Sequence, residues 1–293
     1  MNEEQHEQFR SQVEHLVATG KLTAEEAAEL LDGLAGDEPG EPLNLAPLTA
    51  ATDTPPNLHL DVTGYALHVV QDSAAPHPQL HVSEPGRVEL TATPQGWQVR
   101  EVKDTARRGW LGGDWRNVRA VLTLPFAPRD VQAEVHGGQV ALPGLGGELQ
   151  ITLHGGNVRT AAMASLSARI QGGNLSVGAV MGGTDLTVHG GNVSVAGSTA
   201  LSARIHGGNL NWNGELASGE HQLKLHGGNA RLALRPDSSL RVDARVTGGL
   251  FAADFATRKS GEFGSARYQG QLGDGAALLS CQVAGGQIRL GTA

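Results

Sequence analysis

The 293-residue chain reads as a mainly β protein, a parallel β-solenoid (β-helix or β-roll) preceded by a small α-helical hairpin. Three observations predict this. Glycine pairs recur in one register at 137/138, 155/156, 172/173, 190/191, 207/208, 227/228, 248/249 and 285/286, spaced by 18, 17, 18, 17, 20, 21 and 37 residues. Such a period marks a stack of coils, each burying its apolar face only against its neighbours. Between the pairs, apolar and polar residues alternate with the period of a strand. Glycine reaches 41 residues while aromatics make up 4%, so a core must be built from Val, Leu, Ile and Ala between many tight turns.

At the N-terminus, Phe9, Val13, Leu16 and Val17 fall on one helical face, and Gly20 stands where that helix can stop. Thr23 and Glu26 form a capping box for a second helix carrying Ala27, Leu30, Leu31 and Leu34 on one face. Residues 1–35 are therefore an acidic helical hairpin. Residues 1–40 hold ten acids against two bases, so the whole net charge of −8 lies there and the remainder is neutral. A unit this short does not bury a core alone. Its apolar stripe needs a cover, which is the solenoid end, a second copy or a partner protein. Phe9, Val13, Leu30 and Leu34 are the candidate partner anchors. Residues 36–56 carry five prolines and read as a linker. Residues 57–293 are the solenoid, with about seven or more coils. Its hand is expected to be right, by the usual preference of parallel crossovers.

Within the repeat, inward residues such as Leu149, Ile151 and Leu153, then Val158, define the strands on either side of the glycines. The step across the pair is five residues, as from 153 to 158 or 205 to 210. An odd step cannot keep both residues on one face of a flat strand, so the chain must turn or bulge at HGGN. The offset of 37 is near two periods and implies a lost copy or an insertion.

Stacking turns each repeat position into a column. Asn157, Asn174, Asn192, Asn209 and Asn229 form one, expected as a structural amide ladder. His136, His154, His189, His206 and His226 form a second, interrupted by Gln171. A histidine strip suggests metal or pH sensing. No carboxylate or cysteine column stands beside it, and parallel rings do not converge on one ion, so no metal is assigned. Thr152, Arg169, Thr187, Arg204, Lys224 and Arg245 form a third. Its bases, Arg169, Arg204, Lys224 and Arg245, suit an anionic polymer or lipid surface, or simply keep the face soluble. The stretch Arg107, Arg108, Trp110, Trp115 and Arg116 is either an anion or membrane-edge contact or a packed cover for one solenoid end.

No catalytic residues and no cofactor are assigned. The chain has no GxSxG, HExxH or phosphate-loop motif, and its central acids share no column. Cys281 is the only cysteine and reads as a small buried hydrophobe. The first residues lack a basic and apolar leader and no segment is long enough to span a bilayer. The cytoplasm is thus the default compartment, with membrane or surface association open. A neutral large domain argues against nucleic acid.

GKLTAEEAAELLDGL in the hairpin, VLTLP at 121–125, the glycine-pair repeats and LGDGAALLSCQVAGGQIRL at 272–290 together resemble the bacterial YvlB/LiaX-like proteins. These join a SHOCT-like helical module to an adhesin-type β-strand-repeat domain. The resemblance implies a non-enzymatic scaffold or interaction role in envelope or stress homeostasis, with protein partners or self-association, and supplies no catalytic residues. The rival expectations are a self-assembling filament and adhesin-like binding of an anionic polymer or lipid.

Overall fold

The computed structural model describes residues 3–31, 54–102, 118–261 and 264–293. Helix α1 (Glu3–Ala18) ends where Gly20 takes φ +70°, with Gly20 N–H donating to Val17 O and Lys21 N–H to Leu16 O. This satisfies carbonyls a helix end would otherwise leave bare. Helix α2 (Ala24–Leu31) opens on the expected capping box. Thr23 N–H donates to Glu26 Oε2 at 2.9 Å, and Glu26 N–H to Thr23 Oγ1 at 3.2 Å.

The strands follow in chain order: β1 (Leu58–Val62), β2 (Ala66–Gln71), β3 (Gln79–Val82), β4 (Val88–Thr93), β5 (Gly96–Glu101), β6 (Arg119–Leu124), β7 (Val131–Leu142) and β8 (Glu148–Met163). Next come β9 (Ser165–Ile170), β10 (Asn174–Val180), β11 (Gly183–Val188), β12 (Asn192–Ser198), β13 (Ala200–Ile205), β14 (Asn209–Gly214), β15 (Glu220–Leu225) and β16 (Asn229–Leu234). The last are β17 (Leu240–Thr247), β18 (Leu250–Ala253), β19 (Thr257–Ser260), β20 (Ser265–Leu272), β21 (Ala277–Ala284) and β22 (Gln287–Thr292).

Each coil has two faces, a point the repeat alone left open. The first ladder runs β5, β1, β7, β8, β9, β11, β13, β15, β21, β17, all parallel. The second runs β6, β2, β7, β8, β10, β12, β14, β16, β22, β18, also parallel. That is ten coils. The long strands β7 and β8 serve both ladders, passing through the glycine corner with a register shift at His136. The inner residues of both ladders form one apolar core, with Leu149, Ile151 and Leu153 facing it from one side and Val158 and Leu175 from the other.

The corner works as the odd step requires. At the second glycine of every pair except 248/249, φ is positive, as at Gly173 (+85°) and Gly208 (+82°). A Cβ there would also stand 2.3 Å from the carbonyl oxygen of the preceding coil's glycine. Both facts demand glycine. Pairs at 146/147 and 182/183, outside the main register, mark the opposite turn, where a Cβ on Gly182 would meet Ala164 O at 2.9 Å.

The coils do not stack in chain order at the ends. The first coil (β1, β2) lies between β5–β6 and β7, and the last (β21, β22) lies between β15–β16 and β17–β18. Antiparallel strands then finish both ends, β4 and β3 at one, β20 and β19 at the other. The 37-residue offset is thus an insertion, the β19–β20 pair, rather than a lost copy. Leu80, Val82 and Ala92 at one end, and Phe255, Tyr268 and Leu272 at the other, pack against the core. These strands cover part of the apolar core at each end.

The helical hairpin covers the outer face of β2 and β6. These strands are apolar on both sides: Leu67, Val69, Ala120 and Leu122 face the main core, while Val70 and Val121 face Phe9, Val13, Leu16, Leu22, Ala27 and Leu30. Lys21 pairs with Asp72, and Arg119 Nε donates to Glu29 O at 2.7 Å.

Candidate functional site

Every asparagine of the predicted column joins the ladder. Nδ2 of Asn174, Asn192, Asn209 and Asn229 each donates to Oδ1 of the asparagine one coil earlier, at 2.7, 2.8, 2.8 and 3.0 Å. Gln139 and Gln287 occupy the same register position on the flanking coils. The four bonds hold the corners in step, and a ladder that satisfies itself has little left for a ligand.

The histidine row divides in two at Gln171. His136 and His154 stack with centroids 4.3 Å apart and planes 5° from parallel. His189, His206 and His226 stack at 5.0 and 5.2 Å. The rows differ in what flanks them. Two residues before each histidine, on the same outer face, stands the third column: Glu134, Thr152, Arg169, Thr187, Arg204 and Lys224, in register along the first ladder. A carboxylate therefore does stand beside the row, at one coil only. Glu134 Oε1 is 2.9 Å from His136 Nε2 and 3.8 Å from His154 Nε2. The pattern E-x-H at 134–136 was the available signal, since strand alternation puts both side chains on one side.

The basic column continues past Lys224 through Gln282 to Arg245 and then Arg267. Arg267 makes a two-pronged bridge to Asp243, at 2.7 and 2.6 Å, which holds the Asp243 carboxyl below its ordinary range. No ion pair or side-chain hydrogen bond engages Arg169, Arg204, Lys224 or Arg245 among the described residues. The next outward column is mostly neutral, reading Ser167, Asp185, Ser202, Gln222, Ser280 and Asp243.

The candidate hairpin anchors are placed differently from a free grip. Phe9, Val13 and Leu30 are buried against the hairpin itself and the chain's own β2 and β6, so the first of the three expected covers, the solenoid, is the one present. It is the solenoid's side near one end, not its tip. Leu34 and the Arg107–Arg116 stretch lie outside the described residues. Beneath the hairpin, His68 is buried and its Nδ1 has no partner; burial pushes its pKa down. A polar groove of about 420 Å³ runs between Glu29, Arg119 and the start of the asparagine ladder at Gln139 and Asn157. Cys281 is buried and its thiol is pushed up to about 12, the chemistry of an inert core residue.

Among the described residues, no helix is long and apolar enough to cross a membrane. No protein-family model matches the chain, and no curated protein does. A solved structure from Clostridium sporogenes ATCC 15579, described as a "putative cell adhesion protein", is similar to it at 10% identity and a TM-score of 0.23, over 82% of this chain and 94% of the other. At that score the likeness carries no weight for fold or function, so the fold rests on the two ladders and the family resemblance on the motifs alone.

Proposed function

We propose that the chain is a non-enzymatic binding scaffold whose first-ladder face lies against an anionic polymer or an anionic lipid surface. The supporting observation is the register of Arg169, Arg204, Lys224 and Arg245 in one column, of which Arg245 alone also feels an acid, Asp243, among the described residues. Neighbouring strands lie about 4.8 Å apart, so the column presents positive charge over several coils on a rigid support. A linear array of this kind suits a repeating polyanion or a plane of headgroups better than one small ion. An envelope role is supported by the motif resemblance alone. The non-enzymatic reading is supported by the absence of GxSxG, HExxH and phosphate-loop motifs from the sequence.

Sedimentation with vesicles containing an anionic phospholipid, and with a soluble polyanionic polysaccharide, tests this. Binding should weaken with salt and fall at least about fivefold in Arg169→Ser/Arg204→Ser, since each contact releases counterions. Binding that ignores both salt and the substitutions would remove the proposal. A second reading keeps the hairpin as a protein-binding module. It requires the hairpin to leave β2 and β6, where it is held by Lys21–Asp72, the Arg119 bond and a small apolar cluster.

A further inference from the structure

We infer that Glu134, His136 and His154 form a binding site for a borderline divalent transition cation such as Zn²⁺. The three ligand atoms already lie within 4.8 Å of one another. Metal–ligand bonds of about 2.0–2.2 Å place the ligand atoms of a tetrahedral site about 3.3 Å apart. Glu134 Oε1 at 2.9 and 3.8 Å from the two Nε2 atoms brackets that separation. What remains is ring orientation. The two imidazoles are nearly parallel, so each must swing about its χ2 for its lone pair to reach a shared ion. The side chains are 58%, 43% and 30% exposed for Glu134, His136 and His154, which leaves room for that swing. The backbone leading to them belongs to the β7–β8 ladder, which pairs Glu134 with Thr152 and Val135 with Leu153 and shifts register at His136. Two imidazoles and one carboxylate make three protein ligands, leaving a fourth position for water or a ligand atom from a bound molecule.

The rest of the row is an internal control. His189, His206 and His226 stack in the same way, but Arg204 and Lys224 occupy the positions equivalent to Glu134. A cation there meets fixed positive charge instead of a carboxylate. The inference is independent of the anionic-surface proposal, which uses the other end of the same face.

The test is titration of chelator-stripped full-length protein with Zn²⁺ by calorimetry, with Co²⁺ absorption as a second readout of coordination geometry. One saturable equivalent per chain is expected. Glu134→Gln and His154→Ala should each weaken it at least about tenfold and change the Co²⁺ bands. His206→Ala/His226→Ala should leave both readouts unchanged. All of these side chains are on the surface, and circular dichroism checks that each variant keeps its strands. No saturable binding overturns the inference. So does binding that survives Glu134→Gln and His154→Ala, or binding lost as readily in His206→Ala/His226→Ala, since either assigns the ion elsewhere.

Discussion

The two halves of the histidine row share a backbone and differ in their neighbours. Both are built by the same glycine corner and both stack their rings almost parallel. One half has Glu134 beside it, and the other has Arg204 and Lys224. A repeat fixes where a side chain stands. Its chemistry is set by the residue two positions away on the same strand, where the repeat is free to vary. One face of the solenoid thus carries a carboxylate–imidazole cluster at one end and a basic stretch beyond it without any change of fold.

The largest expected effect comes from breaking the scaffold both halves share, at the junction between them. Gly173→Ala puts a Cβ 2.3 Å from Gly156 O at φ +85°, whereas Gly172→Ala meets nothing nearer than His154 O at 3.5 Å. Chemical denaturation should show a loss of about 3 kcal/mol or more for Gly173→Ala and a much smaller one for Gly172→Ala. Equal losses would mean that the corner is not held by its second glycine.

The comparison itself can be sharpened by exchanging the flanking charge. Arg204→Glu places a carboxylate beside His206 and His226 in the position Glu134 holds beside His136. A second Zn²⁺ equivalent should appear by calorimetry, weaker than the first because those rings stack at 5.2 Å rather than 4.3 Å. The same variant should lose vesicle binding. If it gains no zinc, the flanking carboxylate is not what separates the halves.

A smaller effect concerns the hairpin docked on β2 and β6. The Lys21 hydrogen bond and the Ala74 N–H hold the Asp72 carboxyl below its ordinary range, and burial lowers His68 from its usual 6.5. Both groups have depressed values in the docked state, so the undocked state binds more protons and docking weakens as pH falls. His68 acts first, as pH drops below 6.5, and Asp72 follows below the ordinary carboxylate range. Hydrogen exchange of α1 and α2 should accelerate on acidification. His68→Phe should remove the upper limb and leave the lower one.

The smallest effect is in the asparagine ladder. Asn192→Ala removes two amide bonds and Asn157→Ala only one. At about 0.5–1.5 kcal/mol per hydrogen bond, less where solvent competes, the first should cost roughly twice the second in denaturation midpoint.

Much of this was legible beforehand. The five-residue step between 153 and 158 required a corner, and the columns of Asn, His and Arg followed from the period alone. The hairpin's cover was harder to read, although one signal was there. ALHVV at 66–70 and VLTL at 121–124 are apolar on both faces, unlike the strictly alternating strands of the middle coils. A strand buried on both sides needs a second layer, and Val70 and Val121 received it from the hairpin.

By itself, the sequence determined the local geometry: period-two alternation chose strands, glycine at positive φ chose corners, and the spacing of pairs chose which residues share a column. These are short-range steric facts, written wherever the residues are. Tertiary structure alone decided the order of the end coils and the two-faced coil. Every coil offers a similar apolar inner face, so alternation cannot say which coil sits beside which. That choice depends on the whole chain's connections and caps, which place β1–β2 and β21–β22 one coil inward from each end.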